Sequence, residues 1–291
     1  MSKPGRLGVG IIGAGKVGAV LGAALRSAEH AVVGVHAVSE ASRDRAEILL
    51  PGVPVLEIPE IVRRSELVLL AVPDDALHPL VEGLAEAGHW QPGQLVVHTS
   101  GRYGTGILAP AQAAGAIPLA IHPAMSFTGM SLDLVRLNEC MFGVTAASMV
   151  LPIAQALVVE MGAESTVIAE EDRGIYHAAL AHASNHLVTL AGQSSELLRR
   201  IGVEAPDRVL GPLMRGSLEN ALASGEGALT GPVARGDTGT ITAHRAALAT
   251  GEVPSDIRDA YLAMGRATAQ RALERGLLNE TQAATILDAL S

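Results

Sequence analysis

The chain of 291 residues has one cysteine, Cys140, and only two lysines, Lys3 and Lys16. A single thiol excludes an internal disulfide and a cysteine-rich metal site. It also suits a reducing compartment, so a cytoplasmic location is expected. Positive charge is scarce: 21 Lys and Arg stand against 30 Asp and Glu, a net charge of -9. That balance offers no basic surface to a nucleic-acid backbone or an anionic membrane, and neither is expected as a partner. The apolar run at the N-terminus is too short to span a bilayer and passes directly into a glycine cluster, so neither a membrane span nor a signal peptide is expected. No His, Asp and Glu grouping has metal-ligand spacing, and no metal is expected. Internal repeats and low-complexity linkers are lacking as well.

What remains is ordinary globular material. Apolar residues make up 48% and charged residues 18%, enough to build cores at a length that favours two domains. Short β-branched runs at 7–12, 31–37, 66–72, 94–98 and 116–121, then CMFGVT and ESTVIA, alternate with helix-length segments. Apolar runs on both faces with helices between them predict a parallel sheet covered by helices. From Glu170 the pattern becomes long helices at about 170–200, 205–223, 239–250, 254–275 and 279–290, punctuated by APDRV, TGPVARGDTG and VPSDI. The expected architecture is an α/β N-terminal domain over 1–168, followed by an all-α C-terminal domain over 169–291.

The first strand-to-helix junction reads GVGIIGAGKVGAVLGAAL, with Gly13, Gly15 and Gly18 in G-x-G-x-x-G spacing and Lys16 and Val17 opening the helix. The first glycine permits the tight turn, the second lets backbone approach a pyrophosphate, and the third lets helix pack on strand. The helix N-terminus then faces the phosphates. An NAD site usually ends its second strand with an acid that binds the ribose hydroxyls. Here VHAVSEASRDR supplies His36, Ala37 and Ser39 at that point, with Arg43 and Arg45 beyond. Arg43 would attract a ribose 2′-phosphate and Ser39 would hydrogen-bond it, so NADP is preferred over NAD. Glu40 becomes the acid only if the strand ends later than expected.

In an open α/β sheet, ligands sit beyond the carboxyl ends of the strands. Three such ends carry polar residues: AVPDD with Val72 and Pro73, HTSG with Ser100, and HPAMSF with His122 and Ser126. His122 is either a site residue beside the nicotinamide or a turn histidine bonded to backbone.

The glycine fingerprint, VPD, HTSG, HPAMSF, HAALAHASNH and TGPVARGD together resemble bacterial proteins in which a Rossmann-like domain precedes a domain of unknown function. That second domain is similar to the C-terminal domain of 6-phosphogluconate dehydrogenase. The wider superfamily includes β-hydroxyacid dehydrogenases, ketopantoate reductase, pyrroline-5-carboxylate reductase and prephenate dehydrogenase. The resemblance implies a nicotinamide-dependent oxidoreductase acting on a small acid held between its domains, and a homodimer formed through the helical domain.

β-Hydroxyacid and ketopantoate members use a lysine on the first long helix of the second domain, four residues before an asparagine. This chain has Ala181 before Asn185 there, and neither of its lysines lies on that helix. Histidine is the natural replacement as proton donor. The helix supplies His177, His182 and His186, and helical spacing puts His177, Ala181, Ser184, Asn185 and Val188 on one side. His177, Ser184 and Asn185 are thus a substrate-facing stripe or a structural network, on a helix whose small residues suit a central position. Asn185 would hold a substrate oxygen or the nicotinamide carboxamide. Prephenate dehydrogenases carry a functional histidine before proline at the matching strand end, which implies that His122 polarises a substrate hydroxyl or carbonyl. In LTGPVARGD, Asp237 or Thr238 would cap the next helix, leaving Arg235 as a candidate substrate-binding clamp for a carboxylate or phosphate, or as a surface arginine. The leading expectation is an NADP-dependent oxidoreductase of a small hydroxy, oxo or imino acid, with His122, His177 and Asn185 as catalytic candidates. The alternatives are a non-catalytic NADP-binding sensor and a prephenate-like dehydrogenase.

Overall fold

The computed structural model describes residues 6–291; Lys3 lies outside the described residues. Seven strands, β1 (Gly8–Ile12), β2 (Ala31–His36), β3 (Leu67–Leu70), β4 (Leu95–His98), β5 (Ile117–Pro123), β6 (Met141–Thr145) and β7 (Glu164–Val167), form one sheet in the order β2-β1-β3-β4-β5-β6-β7. Between them run α1 (Lys16–Ser27), α2 (Glu40–Leu49), α3 (Ile58–Arg64), α4 (Asp74–Glu86), α5 (Ala109–Ala113), α6 (Leu132–Arg136) and α7 (Leu151–Glu160).

Side chains alternate between two apolar layers. Val9 and Ile11 of β1, Leu67 and Leu69 of β3, and Leu95 and Val97 of β4 enter the layer shared with α1 and α7. Ile12, Val68, Leu70 and Val96 enter the layer shared with α3 and α4. With both faces covered, a strand reads as an unbroken apolar run. The expected all-parallel sheet needs one correction: β5 and β6 pair antiparallel, Ala120 opposite Thr145 through Pro123 opposite Phe142, while the other pairings are parallel. Periodicity could not reveal this, because a strand buried on both faces has the same pattern in either direction. His30, unassigned from the sequence, is buried. It accepts from the Leu7 amide (3.2 Å) and bonds Glu160 (2.8 Å), tying the start of β1 to the end of α7.

The long helix α8 (Arg173–Arg200) leads into α9 (Pro206–Ser224), α10 (Thr238–Leu248), α11 (Ser255–Glu274) and α12 (Glu280–Ala289). Two compact units meet at Asn185 and His186, inside α8, whereas the sequence reading divides the chain at the end of the last strand. In the second unit, small clusters hold the helices together: Val233, Ile241, Ala269, Ile286 and Leu290 in one, and Ala234, Ala272, Leu278 and Ala283 in the other. Asp237 caps α10, accepting from the Thr240 amide at 3.0 Å, and a reciprocal Asn279–Gln282 box caps α12. Over the middle of α8, expected from its small residues to be central and closely crossed, Leu187, Val188 and Leu190 are exposed in the single chain.

Candidate functional site

The glycine loop assigns a distinct task to each glycine. Gly13 has φ +101°, and a Cβ there would overlap the Ala71 carbonyl oxygen. Its amide and that of Ala14 both donate to the His36 carbonyl, which pins the turn to the end of β2. At Gly18 a Cβ would overlap the Gly13 carbonyl and lie 2.8 Å from Ala71 Cβ, so α1 and the loop touch backbone to backbone. Gly15 differs from both, since a Cβ there would meet nothing within 4 Å. It begins α1, whose first turn has no side-chain cap and no acidic residue. The orphan amides of that turn therefore face a cradle that a pyrophosphate fits.

Beyond this loop, β2 ends at His36, one residue sooner than expected, and Glu40 lies in the first turn of α2 rather than at the strand end. Ser39 caps α2: its hydroxyl accepts from the Ser42 amide (3.2 Å) and donates to the Ser42 hydroxyl (3.1 Å). Arg43 is exposed, with Nε donating to the Ala37 carbonyl (3.4 Å). Arg45 donates to the Ala14 carbonyl (3.2 Å), so it stands behind the glycine loop.

From the loop a cleft of about 480 Å³ runs along the strand ends. Gly15, Lys16 and Val17 line it on one side, Val72, Pro73 and Asp74 follow β3, Thr99, Ser100 and Gly101 follow β4, and His122 and His177 close the far end. Ser100 also holds its own turn, its hydroxyl accepting from the amides of Arg102 (3.2 Å) and Tyr103 (3.3 Å). Beneath it, His98 is fully buried, with Nε2 donating to the Gly104 carbonyl (2.8 Å) and Nδ1 accepting from the Ser100 amide (3.2 Å). Those two bonds fix the tautomer. Burial first, and Arg173 with it, pushes His98 down to about 4, although the Gly104 bond and Asp74 oppose the shift.

His122 lies within β5, and its Nδ1 pairs with a side chain, the Tyr176 hydroxyl at 2.9 Å, rather than with turn backbone. Its ring meets Tyr176 and His177 edge-on, at centroid distances of 5.6 and 6.3 Å. Burial pushes it down to about 4, helped by Arg173 and His177 and opposed by Asp74. Arg173 is itself buried. It donates to Thr145 Oγ1 (2.7 Å) and to the carbonyls of Ala120 (3.1 Å) and Gly143 (3.0 Å), while Nη1 has no partner. Desolvation lowers its pKa, with Tyr176 and Glu170 working against the shift.

Of the residues singled out from the sequence, Gly15, Lys16, Val17, Val72, Pro73, Ser100, His122 and His177 meet in this one cleft, with Gly13 and Gly18 shaping the loop. Ser39 and Arg43 stand at the end of β2, outside the lining. Ser126, Ser184 and Asn185 are exposed and do not line it, and Arg235 is exposed in the turn before α10 of the second unit. Sequence reasoning missed His98, Asp74, Gly101, Arg173 and Tyr176. His98, Asp74 and Gly101 sit inside the motifs HTSG and VPDD and were within reach. Nothing in the sequence marks an arginine in the first turn of a helix as buried. Among the described residues, no three His, Cys, Asp or Glu side chains converge as metal ligands.

The sheet, the glycine loop and the following helices define a two-part chain of Rossmann-type α/β unit and helical unit. Residues 1–123 match the Rossmann-like domain and residues 140–268 match DUF2520, a domain of unknown function; the chain carries these two domains in that order. No curated protein matches it in sequence. Among solved structures it is similar to BF3122 from Bacteroides fragilis, whose provisional designation is NADP oxidoreductase (21% identity, 92% of this chain and 97% of that one, TM-score 0.72). It is similar also to TM1727 from Thermotoga maritima (26% identity, 90% and 98%, TM-score 0.64). A third is the reductive aminase from Aspergillus terreus, in complex with NADPH and ethyl-5-oxohexanoate (16% identity, 99% and 100%, TM-score 0.68).

Proposed function

We propose that the chain is an NADP-dependent oxidoreductase acting on a small oxo, hydroxy or imino acid. The observation that carries this is the unbroken cleft from the uncapped start of α1 to His122 and His177. The amides of Lys16 and Val17 hold a pyrophosphate there, Ser39 and Arg43 take the 2′-phosphate, and Val72, Pro73 and Ser100 border the nicotinamide ribose. NADPH, when bound, supplies a hydride. His122 hydrogen-bonds the substrate atom next to the reacting carbon, in place of the lysine that Ala181 replaces. Support comes from fold relatives that bind NADPH, the Aspergillus reductive aminase among them. Ser126, Ser184, Asn185 and Arg235 receive no step in this reading.

Fluorescence titration of nucleotide-free protein with NADPH and NADH tests it. Tight NADPH binding and much weaker NADH binding are expected, followed by NADPH oxidation with oxo acids or imines. His122→Ala should lower turnover by about 10²–10³-fold, the cost of losing one preorganised hydrogen-bond donor, with little change in NADPH affinity; unchanged turnover would remove His122 from the mechanism. Binding without any turnover across such substrates would leave a cofactor sensor instead.

We also propose a homodimer through the helical unit, because Val188 on α8 (72% exposed) and Leu213 and Leu222 on α9 (63% and 79%) put apolar surface in water. Light scattering should give twice the 29.9 kDa chain mass, and a monomer mass would refute it.

A further inference from the structure

We propose that Tyr176 is a positioning residue whose hydroxyl donates to Nδ1 of His122, so that a neutral imidazole presents its Nε2–H to the substrate. This rests on reading the cleft as a hydride-transfer site. The geometry is built from both sides of the histidine. In the β5–β6 register Gly143 stands opposite His122, and a Cβ at Gly143 would lie 2.6 Å from Tyr176 Oη. The missing side chain leaves the phenol room to reach Nδ1. On the other side, a Cβ at Gly101 would lie 2.9 Å from His122 Nε2, so that nitrogen faces the bare backbone of the cleft loop.

Proton accounting selects the tautomer. A neutral imidazole has one donor and one acceptor nitrogen, and a half-buried phenol needs an acceptor for its proton. Nδ1 is that acceptor at 2.9 Å. The opposite tautomer would strand the phenol proton and leave Nε2 bare toward the cleft.

Burial first, and the surrounding charges with it, keep the imidazole neutral. Arg173 lies with its guanidinium carbon 5.7 Å from the Tyr176 ring centroid, fixed by Thr145 and two carbonyls. On the same helix, His177 also disfavours a proton on His122, as does His98 of β4, while Asp74 of α4 opposes them. Burial comes first among the causes, and His122 sits at about 4. At neutral pH His122 is therefore a hydrogen-bond donor that polarises the substrate oxygen, and the proton that this oxygen takes up after hydride transfer comes from water. A neutral N–H suits the carbonyl oxygen of an oxo acid; a protonated imine offers it no lone pair.

The test is long-range ¹H–¹⁵N correlation of the full-length protein labelled in histidine, with His122 assigned by His122→Gln. Wild type should carry the proton on Nε2 from pH 8 to about 5, and Tyr176→Phe should give a mixture of tautomers. With an oxo acid, Tyr176→Phe should also lower kcat by about tenfold or more while NADPH affinity holds. Should the phenylalanine variant fail to fold, Gly143→Ala crowds the same phenol and should mix the tautomers likewise. A wild-type proton on Nδ1, or a tautomer indifferent to both changes, would overturn the proposal. NADPH titration of the same samples separates the two readings: absent binding removes the oxidoreductase, while the spectra still decide the tautomer.

Discussion

Alanine at Gly18 and alanine at Gly15 are expected to do opposite things, although the two glycines lie three residues apart in one loop. At Gly18 the added methyl would overlap the Gly13 carbonyl and press on Ala71 Cβ at 2.8 Å. Backbone lies on one side and a strand end on the other, so neither can rotate away. Overpacking of this kind costs about 1–3 kcal/mol, and the backbone clash puts Gly18→Ala at the upper end, about 3 kcal/mol, with nucleotide binding lost because the loop must open. At Gly15 the methyl meets nothing within 4 Å, and φ is -69°. Alanine is a poorer N-cap than glycine, but it also restricts the unfolded chain, so stability should stay within about 1 kcal/mol. NADPH affinity should nevertheless fall at least about tenfold, because the methyl occupies the approach to the first-turn amides. Thermal unfolding and NADPH titration of both variants decide this. A Gly15→Ala protein that binds NADPH normally would mean that the loop does not hold the pyrophosphate.

Acid should weaken the fold well before the carboxylates titrate. His98 and His122 sit at about 4 in the folded chain against 6.5 as free groups. Between those values the unfolded chain binds protons that the folded chain refuses, so stability is complete above about pH 6.5 and declines as pH falls toward 4. For the fully buried His98, the gap between 6.5 and about 4, at about 1.4 kcal/mol per pH unit, amounts to roughly 3 kcal/mol. Asp133 acts at lower pH. Burial pushes its carboxyl up, but bonds from the Gly129 and Thr128 amides and the Thr128 hydroxyl outweigh that and hold it below the usual range. Its contribution is therefore present above the free aspartate value and lost only beneath it. Urea unfolding in steps from pH 7 to 4.5 should reveal the loss, with a slope near pH 5 of about 1.4 kcal/mol per pH unit for each histidine. A flat profile between 6.5 and 5 would show that the two imidazoles protonate as readily folded as unfolded.

Much of the α/β unit is legible in the sequence because its determinants are local. The seven runs become β1 to β7 with ends shifted by a few residues at most; β1 and β3, buried on both faces, are apolar throughout, whereas the edge strand β7 is mostly exposed. The glycine spacing fixes the loop, because Gly13 and Gly18 sit where backbone approaches too closely for a Cβ, while Gly15 leaves the first turn of α1 open. The five late helices follow from their punctuation by Pro206, Asp237, Pro254 and Asn279.

Tertiary structure alone decides which polar residues meet. His122 and Tyr176 are 54 positions apart, and they touch because β6 turns back antiparallel beside β5 and has glycine opposite the histidine. Strand direction leaves no trace in a period-two pattern, so neither that pairing nor the burial of Arg173 beneath it is written locally. Helical spacing grouped His177 with Ser184 and Asn185, yet only His177 lines the cleft, because a helix face says where side chains point and not what they point at. The sequence by itself determined the strands, the helices and the glycine loop, whose causes lie within a few residues of each position, but not the direction in which β5 and β6 pair. The charge and tautomer of His122 depend on burial and on groups from α4, β4 and α8, and those distances exist only once the chain has folded.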